Sequence, residues 1–260
     1  MKRLVLVFIA MAMVLGMAVN ASAIVTHWNW VYDAGFTDWE NENGGGDQTG
    51  ITATDSTALS WTEPSVGSAT GYRKLSWGDD PYSSIELEPV AGAPQIVTNG
   101  AGVKVLNMYH DNQIISGDAL TLGSGEVTTT LQLIDGATGL AVWGNSFTFD
   151  FMETPNAGGW MSDDIFLFDQ SSGPLSERFD YGGQEYMFSF AANFLPLEQK
   201  YIDYYGLPQD SIGWVTQEDQ RNLEPGYVSV SAVPEPSTFI LLGAGLIGLA
   251  GVAWRRQRQT

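Results

Sequence analysis

The chain has 260 residues, no cysteine, 44% hydrophobic residues and a formal net charge of −19. That composition excludes a disulfide framework, thiolate metal sites and cysteine nucleophiles. All 30 acidic residues but only six of the 11 basic ones lie between Ile24 and Pro236, so this body carries −24 and lacks any basic patch for a phosphate backbone; nucleic acid is excluded as a partner.

The first element is a leader. Met1-Lys2-Arg3, the apolar run 4–19 and Ala21-Ser22-Ala23 supply the basic, hydrophobic and small-residue regions of a secretory signal peptide, residues 1–23, cut before Ile24. The Sec translocon is the partner this implies, and an uncleaved anchor is the alternative. Residues 24–232 are long enough for one undivided all-β domain. "HWNWVYDAG" puts Trp28, Trp30 and Tyr32 on one strand face and His27, Asn29 and Val31 on the other. The glycine-rich "NENGGGDQTG" reads as a loop, with Asn41, Asn43 and Asp47 as candidate Ca²⁺ ligands that lack the regular spacing of an EF-hand.

Further along, "TTTLQLIDGATGLAVW" predicts a hairpin turning at Asp135-Gly136. "NSFTFDFMETP" aligns Phe147, Phe149 and Phe151, and "DDIFLFD" is apolar on both faces, as in a strand covered on each side. "EYMFSFAANF" aligns Tyr186, Phe188 and Phe190; "PLEQKYIDYYGLP" predicts one short helix; "GYVSVSAV" is a last strand. No 20–50-residue period repeats, which disfavours solenoids and propellers. The expected fold is therefore all-β, an antiparallel β-sandwich of jelly-roll type.

Chemistry-bearing residues are sparse. Only His27 and His110 exist, without HExxH spacing and without a GxSxG serine, so each reads as a hydrogen-bonded structural histidine before a ligand or a base. "GDDP" (Asp79, Asp80) and "MSDDIFLFD" (Asp163, Asp164) could pair acids for glycoside hydrolysis, which requires two carboxyls about 5–10 Å apart across a cleft. Nine tryptophans and ten tyrosines mostly fill the core, but exposed rings could stack on sugars. These residues point to a non-enzymatic body with no catalytic residue and no required cofactor. A lectin-like module, with Ca²⁺ as its ion, is one alternative and a matrix-modifying hydrolase is another.

The chain closes on Pro234-Glu235-Pro236-Ser237-Thr238, a charge-free run 239–254 containing Gly243, Gly245, Gly248 and Gly251, and the basic end Arg255, Arg256 and Arg258. As a helix the run spans about 24 Å, short of the ~30 Å hydrocarbon core, and the arginines would hold its end on the cytoplasmic side. The order of these parts, over residues 233–260, resembles the PEP-CTERM sorting signal. That resemblance implies a single C-terminal transmembrane helix that an exosortase, a membrane protease, recognises and removes. It also implies a Gram-negative host that makes exopolysaccharide. The protein is then exported, held briefly in the inner membrane, and released to the surface or matrix. A second resemblance rests on Thr26, His27 and Asn29 in "THWN", with "LSWGDDPYSSIEL" and "GWVTQED"; it is to the THxN family of such proteins and implies no biochemical activity.

Overall fold

The computed structural model describes residues 24–92, 94–168, 176–192, 194–234 and 245. The expected signal peptide, the apolar closing helix, Arg255, Arg256 and Arg258, and the motif residues Glu235, Pro236, Ser237 and Thr238 lie outside the described residues. Among the described residues no helix is long and apolar enough to cross a membrane. Among the described residues the strands and a short α-helix follow in order: β1 (His27–Asn41), β2 (Thr52–Trp61), β3 (Gly67–Trp77), β4 (Ser83–Pro89), β5 (Ile96–Val97), β6 (Val103–Asn112) and β7 (Leu122–Asp135). Then come β8 (Thr138–Met152), β9 (Asp164–Phe168), β10 (Ser176–Tyr181), β11 (Gln184–Ala192), β12 (Leu195–Pro196), α1 (Gln199–Tyr205), β13 (Ile212–Thr216) and β14 (Gln220–Ala232). They divide into a large unit, residues 27–177 and 188–230, and a small one whose described residues are 24–26, 178–187, 231–234 and 245.

The all-β, antiparallel expectation holds. In the large unit one hydrogen-bonded path runs β14-β6-β4-β3-β1-β7-β8-β9-β13-β12, with β2 on β3 and β5 on the start of β1. The two layers of the expected sandwich are thus one continuous sheet that curls. Its curl is closed beside β2, where the Thr62 and Glu63 N–H groups donate to the Val142 carbonyl at 2.8 and 3.1 Å. Gly144 N–H returns a bond to the Glu63 carbonyl at 2.9 Å. Where β1 crosses β3, Gly35 and Gly71 face each other so closely that a Cβ on Gly35 would lie 2.9 Å from the Gly71 Cα. Only two bare backbones fit there.

Period-2 patterning decides which side chains enter the core. Trp28, Trp30 and Tyr32 are buried as expected, and so are Phe147, Phe149 and Phe151. The buried indoles find acceptors: Trp28 Nε1 donates to Thr98 Oγ1 at 2.9 Å and Trp30 Nε1 to the Pro94 carbonyl at 3.0 Å. The predicted hairpin forms between β7 and β8, with Asp135 opposite Thr138 and Gly136 at φ 57°. The helix forms at Gln199–Tyr205, buries Tyr201 and Ile202 against Ile165 and Leu197, and stops at Gly206, which takes φ 67°. The last strand begins at Gln220, six residues before the predicted start, and β6 pairs with it through Pro225.

In the small unit Gly182 and Gly183, at φ 60° and 81°, turn β10 into β11. Phe179 stacks on the fully buried Tyr186 at 5.3 Å, and the Tyr186 hydroxyl accepts the Val25 N–H at 2.8 Å. Val233 is held on both sides of its backbone. Its N–H donates to the Glu185 carbonyl at 2.8 Å and its carbonyl accepts Gln184 Nε2 at 2.7 Å.

Candidate functional site

Polar side chains gather inside the large unit where β6, β8, β9 and β13 end. His110, on β6, has no exposed surface. Its ring stacks on Trp77 at 5.6 Å and meets Phe151, Phe166 and Trp214 edge-on. Nδ1 lies 2.8 Å from Thr216 Oγ1, and that hydroxyl donates to the Asp164 carbonyl at 3.2 Å. With that hydroxyl proton assigned to the Asp164 carbonyl, the neutral ring is assigned its proton on Nδ1, and Nε2, which has no partner, is left as the acceptor nitrogen. Burial pushes the imidazole pKa down to about 3, so the ring is neutral. Asn112, also without exposed surface, donates Nδ2 to the Thr216 carbonyl at 3.2 Å, which leaves its Oδ1 without a donor.

Three carboxyl groups border this cluster. Asp164, fully buried at the start of β9, accepts the Thr154 N–H at 2.9 Å and its hydroxyl at 3.3 Å on Oδ1, while Oδ2 has no partner. Glu153, next after β8, accepts Trp77 Nε1 at 3.3 Å on Oε2, and Oε1 has none. Glu218, beyond β13, has neither oxygen satisfied. None of the described ion pairs reaches them. Burial, then repulsion from Glu153 and Glu218, pushes the Asp164 carboxyl up; burial, with Glu218 and Glu42 nearby, raises that of Glu153. Burial first, then Asp219 and Asp163, raises Glu218.

This electrostatics sets a pH response in chelator, where only protons can neutralise the carboxyls. The folded chain keeps protons on Asp164 and Glu153 that the unfolded chain releases from their ordinary values of 3.8 and 4.5. Stability is therefore full below those values and declines as pH rises through the raised folded ones. His110 acts oppositely. The unfolded ring takes up a proton below its ordinary 6.5 and the folded ring does not until about 3, so its contribution is lost as pH falls. On the alkaline side of 6.5 the histidine is silent, and urea midpoints should fall steadily. Asp164→Asn should flatten that limb; a midpoint that rises with pH would refute the assignment.

Two clefts of about 630 and 660 Å³ flank the cluster and share Asn156. The first is lined by Trp160, Tyr201, Asp163, Gln217, Glu218 and Gln220, among others. Trp160 meets Tyr201 and Tyr204 at steep angles, 86° and 77°, and Lys200 Nζ sits 4.8 Å from the Tyr201 ring centre while pairing with Glu198 at 3.0 Å. The second cleft presents Glu42, Ser116, Thr121 and Glu153.

The residues singled out from sequence scatter. Alternation separates Asp163 from Asp164: the first faces the cleft and accepts the Tyr201 hydroxyl at 2.7 Å, the second is enclosed. Asp79 and Asp80 are exposed, with Asp79 accepting the Ser116 hydroxyl at 2.9 Å. In the 41–50 loop the candidate Ca²⁺ oxygens serve the loop's own backbone, Asn41 Oδ1 taking Asn43 N–H and Asp47 Oδ1 taking Thr49 N–H. His27 and Asn29 share a face as expected, but that face is exposed, and Asn29 Oδ1 accepts Gln95 Nε2 at 3.0 Å. Thr26 is exposed as well. The buried structural histidine is His110. Pro234, exposed, is the one sorting-motif residue among those described. Glu153, Glu218, Trp77 and Trp160 were not anticipated as site residues. Glu153 could have been, because it continues the inward alternation of Phe147, Phe149 and Phe151.

Among the described residues no group of three His, Cys, Asp or Glu side chains is arranged to hold a metal ion. No curated protein matches the chain. Residues 232–258 match the PEP-CTERM protein-sorting motif. The match begins at Ala232, in the clasp that fixes Val233, and covers the proline-flanked glutamate, the apolar run and the arginines. The chain therefore carries a PEP-CTERM sorting signal at its C-terminal end, the signal of an exported protein processed by an exosortase.

Proposed function

We propose that the chain is a non-enzymatic protein of the cell surface or extracellular matrix, freed from its C-terminal handle by an exosortase and associated with exopolysaccharide through its body. The sorting motif at residues 232–258 carries this reading. The −24 charge of the body suits a soluble life outside the cell. Asp164, the most enclosed carboxyl, has no surface to offer a substrate, which weighs against the hydrolase alternative.

The lectin-like reading is favoured by the cleft at Trp160. An indole half-exposed beside Asn156, Gln217 and Gln220 combines an apolar ring face for sugar C–H groups with amides that can both donate and accept. The acidic lining selects neutral or amino-bearing glycans over acidic ones. Protein recovered from outside the cell should be retained on host polysaccharide, with Ca²⁺ or without, and Trp160→Ala should weaken retention about tenfold or more. Wild-type protein that binds no polysaccharide would remove the matrix association.

A further inference from the structure

With its carboxyls ionised, every unpartnered atom in the buried cluster is an acceptor. Asp164 Oδ2, Glu153 Oε1, both Glu218 oxygens, Asn112 Oδ1 and His110 Nε2 all lack a donor. Two of these residues, Asn112 and His110, are not acids and are fully buried. Their orientation is fixed by the bonds they do make to Thr216, and Thr216 is the register partner of Asp164 across β13 and β9. Buried acceptors without donors are costly, and native proteins satisfy nearly all of them. Here the deficit has one sign and one place, and no Lys or Arg is within pairing distance. A buried water donates at most two hydrogen bonds and carries no net charge, so it does not neutralise ionised carboxylates. A cation beside the two enclosed carboxylates and the Asn112 amide oxygen supplies the missing positive charge.

We propose that the strand ends at Asn112, Glu153 and Asp164, with Glu218 at the mouth, form a binding site for a hard divalent cation of the Ca²⁺ type. Oxygen donors of mixed kind, carboxylate and amide, are what Ca²⁺ takes in its six to eight positions, and the remaining positions fall to backbone carbonyls and water. Two carboxylates enclosed with an amide oxygen, and not a cage of three charged ligands, make up the inner donor set, in keeping with the separation of the acidic side chains. Glu153 lines one cleft and Glu218 the other, so the ion has a path from solvent. The 41–50 loop, whose oxygens are already engaged, is not the site.

The test uses the processed protein from outside the cell, stripped with chelator. Ca²⁺ at about a hundredfold excess over its Kd should raise the thermal midpoint by about 5–10 °C. Asp164→Asn keeps the shape and an acceptor for Thr154 and should abolish the response. If that variant does not fold, Glu153→Gln, on the cleft wall, takes its place. Tb³⁺ supplies a readout independent of stability. Trp77, hydrogen-bonded to Glu153, should sensitise its emission, Ca²⁺ should quench it by competition, and Asp164→Asn should lose it. No Ca²⁺ shift in the wild type overturns the proposal. So does an equal shift in both substituted proteins, which would place the ion on the acidic surface.

Discussion

Replacing Pro234, Glu235 and Pro236 together by alanine should leave export intact and the C-terminal tail uncut. The expected signal peptide, residues 1–23, is untouched, so the body should still cross the membrane. What changes is the segment a protease must grip. A proline on each side of Glu235 disfavours helix at that point, and three alanines would favour it. The protein should then stay with the inner membrane, its end held by Arg255 and Arg256 on the cytoplasmic side. Fractionation, with mass spectrometry of the C-terminus, reads the outcome. The wild-type product should lack everything from Phe239 onward. Finding Thr260 in protein recovered from the matrix would refute the sorting mechanism.

Trp77→Ala should cost about 3–5 kcal/mol, a large part of the roughly 5–15 kcal/mol that holds a domain together. Trp77 has no exposed surface, stacks on His110, meets Phe151 at 5.0 Å and donates to Glu153. Its removal opens a cavity beneath a neutral histidine and takes the Nε1–H donor away from the buried Glu153 carboxyl. Trp77→Phe keeps most of the apolar volume and loses the N–H, so it should cost about 1–3 kcal/mol. Urea unfolding of both variants separates packing from hydrogen bonding. An alanine variant as stable as wild type would mean that the ring is not part of the core.

Strand identity, the β7–β8 turn, α1 and the inward tryptophan stripe were legible because period-2 alternation and turn chemistry are local properties of the chain. The continuous curl was not, since the bonds that close it join Thr62 and Glu63 to Val142, 80 residues away in the chain. The site was half legible for the same reason. Alternation alone carries Phe147-Phe149-Phe151 inward to Glu153, Met108-His110 inward to Asn112, and Phe166 back to Asp164, so polar residues at the ends of inward stripes were a readable sign. That these ends belong to strands that meet is a fact of tertiary pairing, which no window of sequence contains. The outward turn of His27 and Asn29 followed from the same alternation, given that Trp28 and Trp30 face in.

The hydrogen bonds that pin the Val233 backbone also set the length of a leash. Five residues, Pro234 to Thr238, separate that pinned point from the start of the apolar run, and five residues reach at most about 17 Å even when drawn straight. Before cleavage, then, the folded body would be moored within two or so Debye lengths of the lipid headgroups at physiological salt. A body of charge −24 moored that close to anionic lipid is pushed away from the surface that holds it. The cut would release this repulsion, so departure from the membrane needs no further motor, and the cleaved body should leave more readily as ionic strength falls.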